Sequence, residues 1–286
     1  KGITELENKA EEMVNDRFVE SRNLDEVINA FKSGSDEFIP YKYAFDGTPV
    51  IKLSNNELKN LYLFGQFVET KRNFVSIRDT ALEYGKAFRD QPTILNAAKL
   101  VGLVRYVIRE VFNVNPYIVQ CLTVGAQLFH RVDKKTRPKL KGRIAQVATG
   151  EGKSIIIAML ASCIALTGNT VDIISSSIYL AQRDAEKFKP FYEKLGLTCG
   201  CILENQKNDF DFHILYSTNT EFEFALLREG VAGVTTNETT LLYENTKRHR
   251  PYMTAIADEV DNLFIDTAIN SARIAQHGNS DQSWIF

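Results

Sequence analysis

The chain has 286 residues, 44% of them hydrophobic and 24% charged, with a formal net charge of -2. This balance is that of a globular protein with a sizeable core, in one large domain or two small ones. It argues against a duplex nucleic-acid binder, which needs a long-range basic field, and no apolar run reaches the roughly 18 residues of a membrane span.

Residues 1–115 read as mostly helical. Leu6, Met13, Val14 and Phe18 recur near helical spacing, and Leu24–Phe31 continues the style. Pro40 and the Asp46-Gly47-Thr48-Pro49 segment mark turns, and Val50–Leu53 fits a short strand. Ser54-Asn55-Asn56-Glu57 is a helix start for a run with Leu58, Leu61, Leu63 and Phe64. Further helices are expected over 78–88 and 91–112, and nothing in this part forms a catalytic constellation.

Near Asn113-Val114-Asn115-Pro116 the pattern changes to alternating strands and helices, the mark of an α/β domain with a mainly parallel sheet. Strands are expected at 143–148, 170–176, 199–204, 213–218 and 253–258. Helices are expected at 117–129, 154–167, 178–194, 220–229, 237–244 and 260–275. The organisation is thus a helical N-terminal region, 1–115, followed by an α/β lobe, 116–286. The first residues are neither a signal peptide nor a start methionine, so a piece of a longer protein is expected.

Cys121, Cys163, Cys199 and Cys201 form no C-x-x-C pair and have no histidines close by in sequence. They read as reduced thiols, mostly in core or strand positions, in a reducing compartment. The basic 131–143 segment reads as a solvated loop, with a partner or anionic-lipid contact as the minority reading.

The chemistry centres on Ala148-Thr149-Gly150-Glu151-Gly152-Lys153-Ser154. It ends as a Walker A phosphate loop does, although Val147 stands where the strict pattern has glycine. An alternating run precedes it and an apolar, helix-like run follows, as a P-loop requires. Gly150 and Gly152 let backbone N–H groups approach phosphate oxygens, and the helix N-terminus adds partial positive charge. Lys153 is expected to reach the β/γ-phosphates and Ser154 to hold Mg²⁺. Far downstream, Thr254-Ala255-Ile256-Ala257 is an apolar strand ending in Asp258-Glu259. Asp258 is the expected metal partner and Glu259 the residue that orients or deprotonates the attacking water.

These segments resemble the SecA preprotein translocase ATPases. Thr149–Ser154 matches that family's T-G-E-G-K-T loop, and Asp258-Glu259-Val260-Asp261 its D-E-V-D acidic motif. Tyr179–Glu186 matches Y-L-A-x-R-D-A-E. Ser217–Phe224 with Leu227-Arg228 resembles G-T-N-N-E-F-G-F-D-Y-L-R, and Val119-Gln120 resembles D-V-Q. The resemblance spans about residues 100–266. It implies a P-loop, RecA-like, DEAD-like lobe, with ATP and Mg²⁺ as cofactors and Gln120 reading adenine. It also implies a polypeptide substrate, a membrane channel as partner, a second motor lobe, and a cytoplasmic location at or near a membrane. Without the second lobe, this piece is expected to bind nucleotide but hydrolyse it slowly.

There are departures. Glu223 and Ala225 stand where the family has glycine and aspartate, and the arginine expected after Ile265-Asp266 is missing. The stretch between Gln120 and Lys153 is longer than usual by the basic 132–142 segment. Two other readings stay open: a nucleic-acid helicase lobe, and a non-enzymatic scaffold with nucleotide as a structural ligand.

Overall fold

The computed structural model describes residues 55–69, 74–128, 144–145, 147, 150–202, 211–224 and 253–263. The readings of residues 1–54, the basic 131–143 segment, Thr149, Arg228 and the helices at 237–244 and beyond 263 lie outside the described residues. Two compact units emerge. One comprises the chain to Gly168 together with Pro190–Gly196, the other Asn169–Lys189 and the chain from Leu197.

The first unit is helical. It contains α1 (Asn55–Glu69), α2 (Ile77–Asp90), α3 (Ile94–Phe112), α4 (Ile118–Leu128) and α5 (Lys153–Leu166). Local chemistry sets the ends of α2 and α3. Ser76 caps α2, accepting from the Asp79 amide, and Thr93 caps α3, accepting from the Asn96 amide at 3.2 Å. The sequence reading starts a helix at Gln91. In the structure Gln91 closes α2 and α3 begins at Ile94, because Pro92 cannot continue a helix and Thr93 is a better cap. α3 ends at Asn113, whose φ of 54° is a left-handed stop.

α3 is the centre of the unit's core. Leu100, Leu103, Val104, Val107 and Ile108 are fully buried. Phe64 of α1 is buried against Gly125 of α4, where a Cβ would lie 2.6 Å from the ring. Gly85 of α2 lies against the backbone of Leu166 at the end of α5, an approach that leaves no space for a side chain. At both contacts the missing side chain of glycine is what lets the helices approach this closely.

The second unit holds four parallel strands: β1 (Val171–Ser175), β2 (Cys199–Cys201), β3 (Ile214–Thr218) and β4 (Thr254–Ala257). Their order is β2-β3-β1-β4. Val171 pairs with Ile214 on one side and Thr254 on the other. Central β1 is nearly all buried, as expected for a strand with neighbours on both edges. α6 (Ile178–Lys194) follows β1 and matches the span read from the sequence. This is the α/β architecture with a parallel sheet expected from the sequence.

One expected strand is corrected. In the 143–148 run, the described residues Ile144, Ala145 and Val147 are not strand. Ile144 is 88% exposed. Alternating apolar residues favour a strand only where a ladder partner and a covered face are supplied, and Ile144 and Ala145 have no covered face.

Candidate functional site

The first unit carries the phosphate loop. α5 starts at Lys153, and its N-cap is Gly152, at φ 75°. No side chain caps this end. The Ile155 and Ile156 amides turn back on the Gly152 carbonyl at 2.9 and 3.2 Å, and the N-terminus of this 14-residue helix carries the partial positive charge that suits an anion. Gly150 also has a positive φ, 89°, and a Cβ there would meet nothing within 4 Å. The two glycines thus serve different needs. Gly150 is required by backbone conformation alone, whereas a Cβ on Gly152 would also lie 2.5 Å from Gln120 Nε2. Lys153 and Ser154 occupy the first turn of α5 and are half-buried, while Gly150 and Glu151 are exposed.

Gln120 packs directly on this loop. Its Nε2 donates to the Glu151 carbonyl at 2.8 Å, and its Oε1 accepts from the Tyr117 amide at 3.0 Å. The structure therefore gathers Gln120, Gly150, Glu151, Gly152, Lys153 and Ser154 in one place. Thr149 is outside the described residues.

The second unit carries the acids at the C-terminal edge of its sheet, the edge where open parallel sheets bind ligands. The Asp258 amide donates to the Ile174 carbonyl at 2.9 Å, so the ladder reaches the first acid. Glu259 follows at φ 56°, a left-handed conformation uncommon for a side chain of this kind. Glu259 is exposed and Asp258 half-buried. At the same edge, Ser177 Oγ accepts from the Leu180 amide, and Thr218 Oγ1 accepts from the Glu221 amide. Arg183 pairs with its neighbour Asp184 at 2.7 Å, which makes it an ion-pair residue of α6.

All four cysteines are free thiols. Burial pushes the Cys121 thiol up to about 12 and Cys163 higher still, and burial with nearby Glu186 raises Cys201 to about 11. Cys121, Cys163 and Cys201 are therefore poor nucleophiles near neutral pH.

A family profile described as the SecA DEAD-like domain matches residues 54–285. The chain belongs to that family. Three curated relatives give the scale of the similarity. The protein translocase subunit SecA of Treponema denticola is 33% identical over 190 residues, covering 65% of this chain and 18% of the relative. That of Ehrlichia canis is 34% identical over 221 residues, covering 76% and 21%. The protein translocase subunit SecA 2 of Clostridioides difficile is 34% identical over 185 residues, covering 63% and 21%. The chain spans about a fifth of these relatives' length. The SecA DEAD-like match begins at residue 54, well before the motifs that carry the resemblance in the sequence. No helix among the described residues is long and apolar enough to cross a membrane.

What sequence reasoning missed in the SecA DEAD-like chain is the second use of Gln120. A signal existed. Gln120 is three residues after Tyr117, the spacing of a capping box, but Tyr117 is not the Ser or Thr that makes such a box visible. Glu221 lies in the Ser217–Phe224 segment already singled out in the sequence. It is 9% exposed, and its Oε2 is buried.

Proposed function

We propose that this chain is the ATP-binding lobe of a SecA-like motor, coupling ATP hydrolysis to the handling or translocation of a polypeptide. The observation that carries the reading is the N-terminus of α5. It has no side-chain cap and is preceded by two positive-φ glycines, in a member of this family. Such an end offers backbone donors and partial positive charge to a polyphosphate.

In this reading Thr149, Gly150, Glu151, Gly152, Lys153 and Ser154 form the phosphate-binding segment. Lys153 places a cation against the terminal phosphates. The Ser154 hydroxyl and, in the other unit, the Asp258 carboxylate are each hard oxygen donors of the kind Mg²⁺ takes. Mg²⁺, when bound, supplies neutralisation of charge on the phosphates. Glu259 holds or deprotonates the attacking water. The helical region to residue 115 and the lobe from 116 to 286 remain our functional division. A polypeptide substrate, a membrane channel and a second motor lobe are the partners that family membership suggests. The relatives' printed function, protein translocation, supports that suggestion.

Titration with a fluorescent ATP analogue, with and without Mg²⁺, tests the reading. Binding is expected in the micromolar range or tighter, with slow turnover by this chain alone. Affinity unchanged by Lys153→Ala would sink it.

A further inference from the structure

A relay of hydrogen bonds crosses the helical unit from α3 to the phosphate loop, and it starts at Arg105. Arg105 is half-buried on α3. Its Nε donates to the Pro116 carbonyl at 2.9 Å, across the turn that joins α3 to α4. That carbonyl and the Tyr117 N–H belong to one peptide group. The Tyr117 N–H donates to Gln120 Oε1 at 3.0 Å, and Gln120 Nε2 donates to the Glu151 carbonyl at 2.8 Å. The Glu151 carbonyl shares its own peptide group with the Gly152 N–H. A trans peptide carries its C=O and N–H on opposite sides, and no cis bond occurs among the described residues, so this N–H points away from Gln120.

Every link has the same direction. Each planar amide accepts at its oxygen and donates through its nitrogen, and the first donor is a guanidinium, which is always charged. Hydrogen bonds aligned in this way polarise one another, and a charged donor at the head strengthens the first of them. The last group in line, the Gly152 N–H, is one of the donors that such a loop presents to an anion. Gln120 spends one N–H and one acceptor position on the relay. Its second N–H and its other lone pair remain, which leaves an adenine edge within its capacity.

We propose that Arg105 is a positioning residue for phosphate binding. It orients and polarises the Gly152 N–H through the 116–117 peptide and Gln120. The proposal rests on the phosphate-binding reading of the loop given above.

The test is a double-mutant cycle, read by calorimetric titration of the purified chain with inorganic tripolyphosphate and Mg²⁺, alongside melting midpoints. Arg105→Met keeps a long side chain and loses the donor and the charge. It is expected to weaken tripolyphosphate binding roughly two- to fivefold, within the size of one net hydrogen bond. In a Gln120→Ala background the same substitution is expected to change the affinity no further, because the relay is already cut. Arg105→Lys retains a charged donor and is expected to recover part of the loss. In nuclear magnetic resonance spectra of the ligand-free chain, Arg105→Met is expected to move the Gly152 amide proton upfield, and not to do so once Gln120 is alanine. An affinity loss of equal size in both backgrounds overturns the proposal, since Arg105 then acts by long-range charge. A lower midpoint with unchanged affinity overturns it too, in favour of a purely structural tie between α3 and α4. Should Arg105→Met not fold, Arg105→Gln carries the same cycle. Tripolyphosphate binding that survives Lys153→Ala is a separate failure, that of the phosphate-site reading itself.

Discussion

The Asp258 amide donates to the Ile174 carbonyl at 2.9 Å, and the next residue, Glu259, turns to φ 56°. The strand therefore ends in a strained step that lifts Glu259 out of the ladder and into an exposed position. A side chain in this conformation costs roughly 1–2 kcal/mol relative to glycine. Glu259→Gly is expected to leave the chain as stable as before or up to about 1 kcal/mol more stable, with the entropy of a flexible glycine offsetting part of the relief. Glu259→Val is expected to lose about 1–2 kcal/mol. Urea melts of the two variants check this, and a glycine variant less stable than the valine one contradicts it.

Gly150 and Gly152 make a paired test of the loop. Alanine at 150 faces only the backbone cost of φ 89°, since nothing lies within 4 Å of its Cβ. Alanine at 152 faces φ 75° and also Gln120 Nε2 at 2.5 Å. Gly150→Ala is expected to cost about 1 kcal/mol, and Gly152→Ala a further ~1–3 kcal/mol from overpacking. Adding Gln120→Ala to Gly152→Ala opens the space again, so the double variant is expected to be less destabilised than the sum of the singles. Additive losses in a double-mutant cycle by thermal melting would show that the two side chains do not compete for the same space.

The helix after the loop, the helix at 178–194 and the strands at the core of the sheet were legible because periodicity and length agreed there. α6 runs over Ile178–Lys194, the span its apolar spacing gives. The 143–148 run was misleading because alternation is a statement about a face, and Ile144 has no covered face to turn toward. The loop and the acid pair could be read from residue types alone, as their chemistry allows few substitutes. The Gln120–Glu151 bond could not, because it joins residues far apart in sequence through a backbone carbonyl, which has no residue identity. The same holds for Arg78, which donates to the Glu193 carbonyl at 3.1 Å across 115 residues.

Gly85 is expected to be among the least replaceable positions in the helical unit. It sits mid-helix in α2, where alanine normally gains about 1 kcal/mol of helix propensity. Here the Cβ runs into the Leu166 backbone at the end of α5, and backbone cannot rotate aside as a side chain does. The expected net effect of Gly85→Ala is a loss of ~1–3 kcal/mol. Leu82→Ala on the same helix, at a residue 66% exposed, is expected to change stability by no more than about 0.5 kcal/mol. Denaturant midpoints compare the two, and a stabilising Gly85→Ala would contradict the close approach.

The thiols give the chain an alkaline limit whose sign follows from their burial. In the folded state burial holds Cys121 at about 12 and Cys163 above that, against an ordinary value of 9.0. Between those values the unfolded chain has released protons that the folded chain still holds. Stability contributed by these thiols is therefore complete below about pH 9 and declines as pH rises toward the folded values. Each thiol adds a slope of at most about 1.4 kcal/mol per pH unit. Cys121→Ala is expected to flatten the decline in urea midpoints between pH 9 and 11, even where it lowers stability at pH 7 by leaving a small void. Thiol labelling at pH 8 is expected to reach half-buried Cys201 first, and Cys121 and Cys163 only as the chain unfolds. Rapid labelling of Cys163 in the folded chain, or an alkaline decline unaffected by Cys121→Ala, would contradict the burial on which this sign depends.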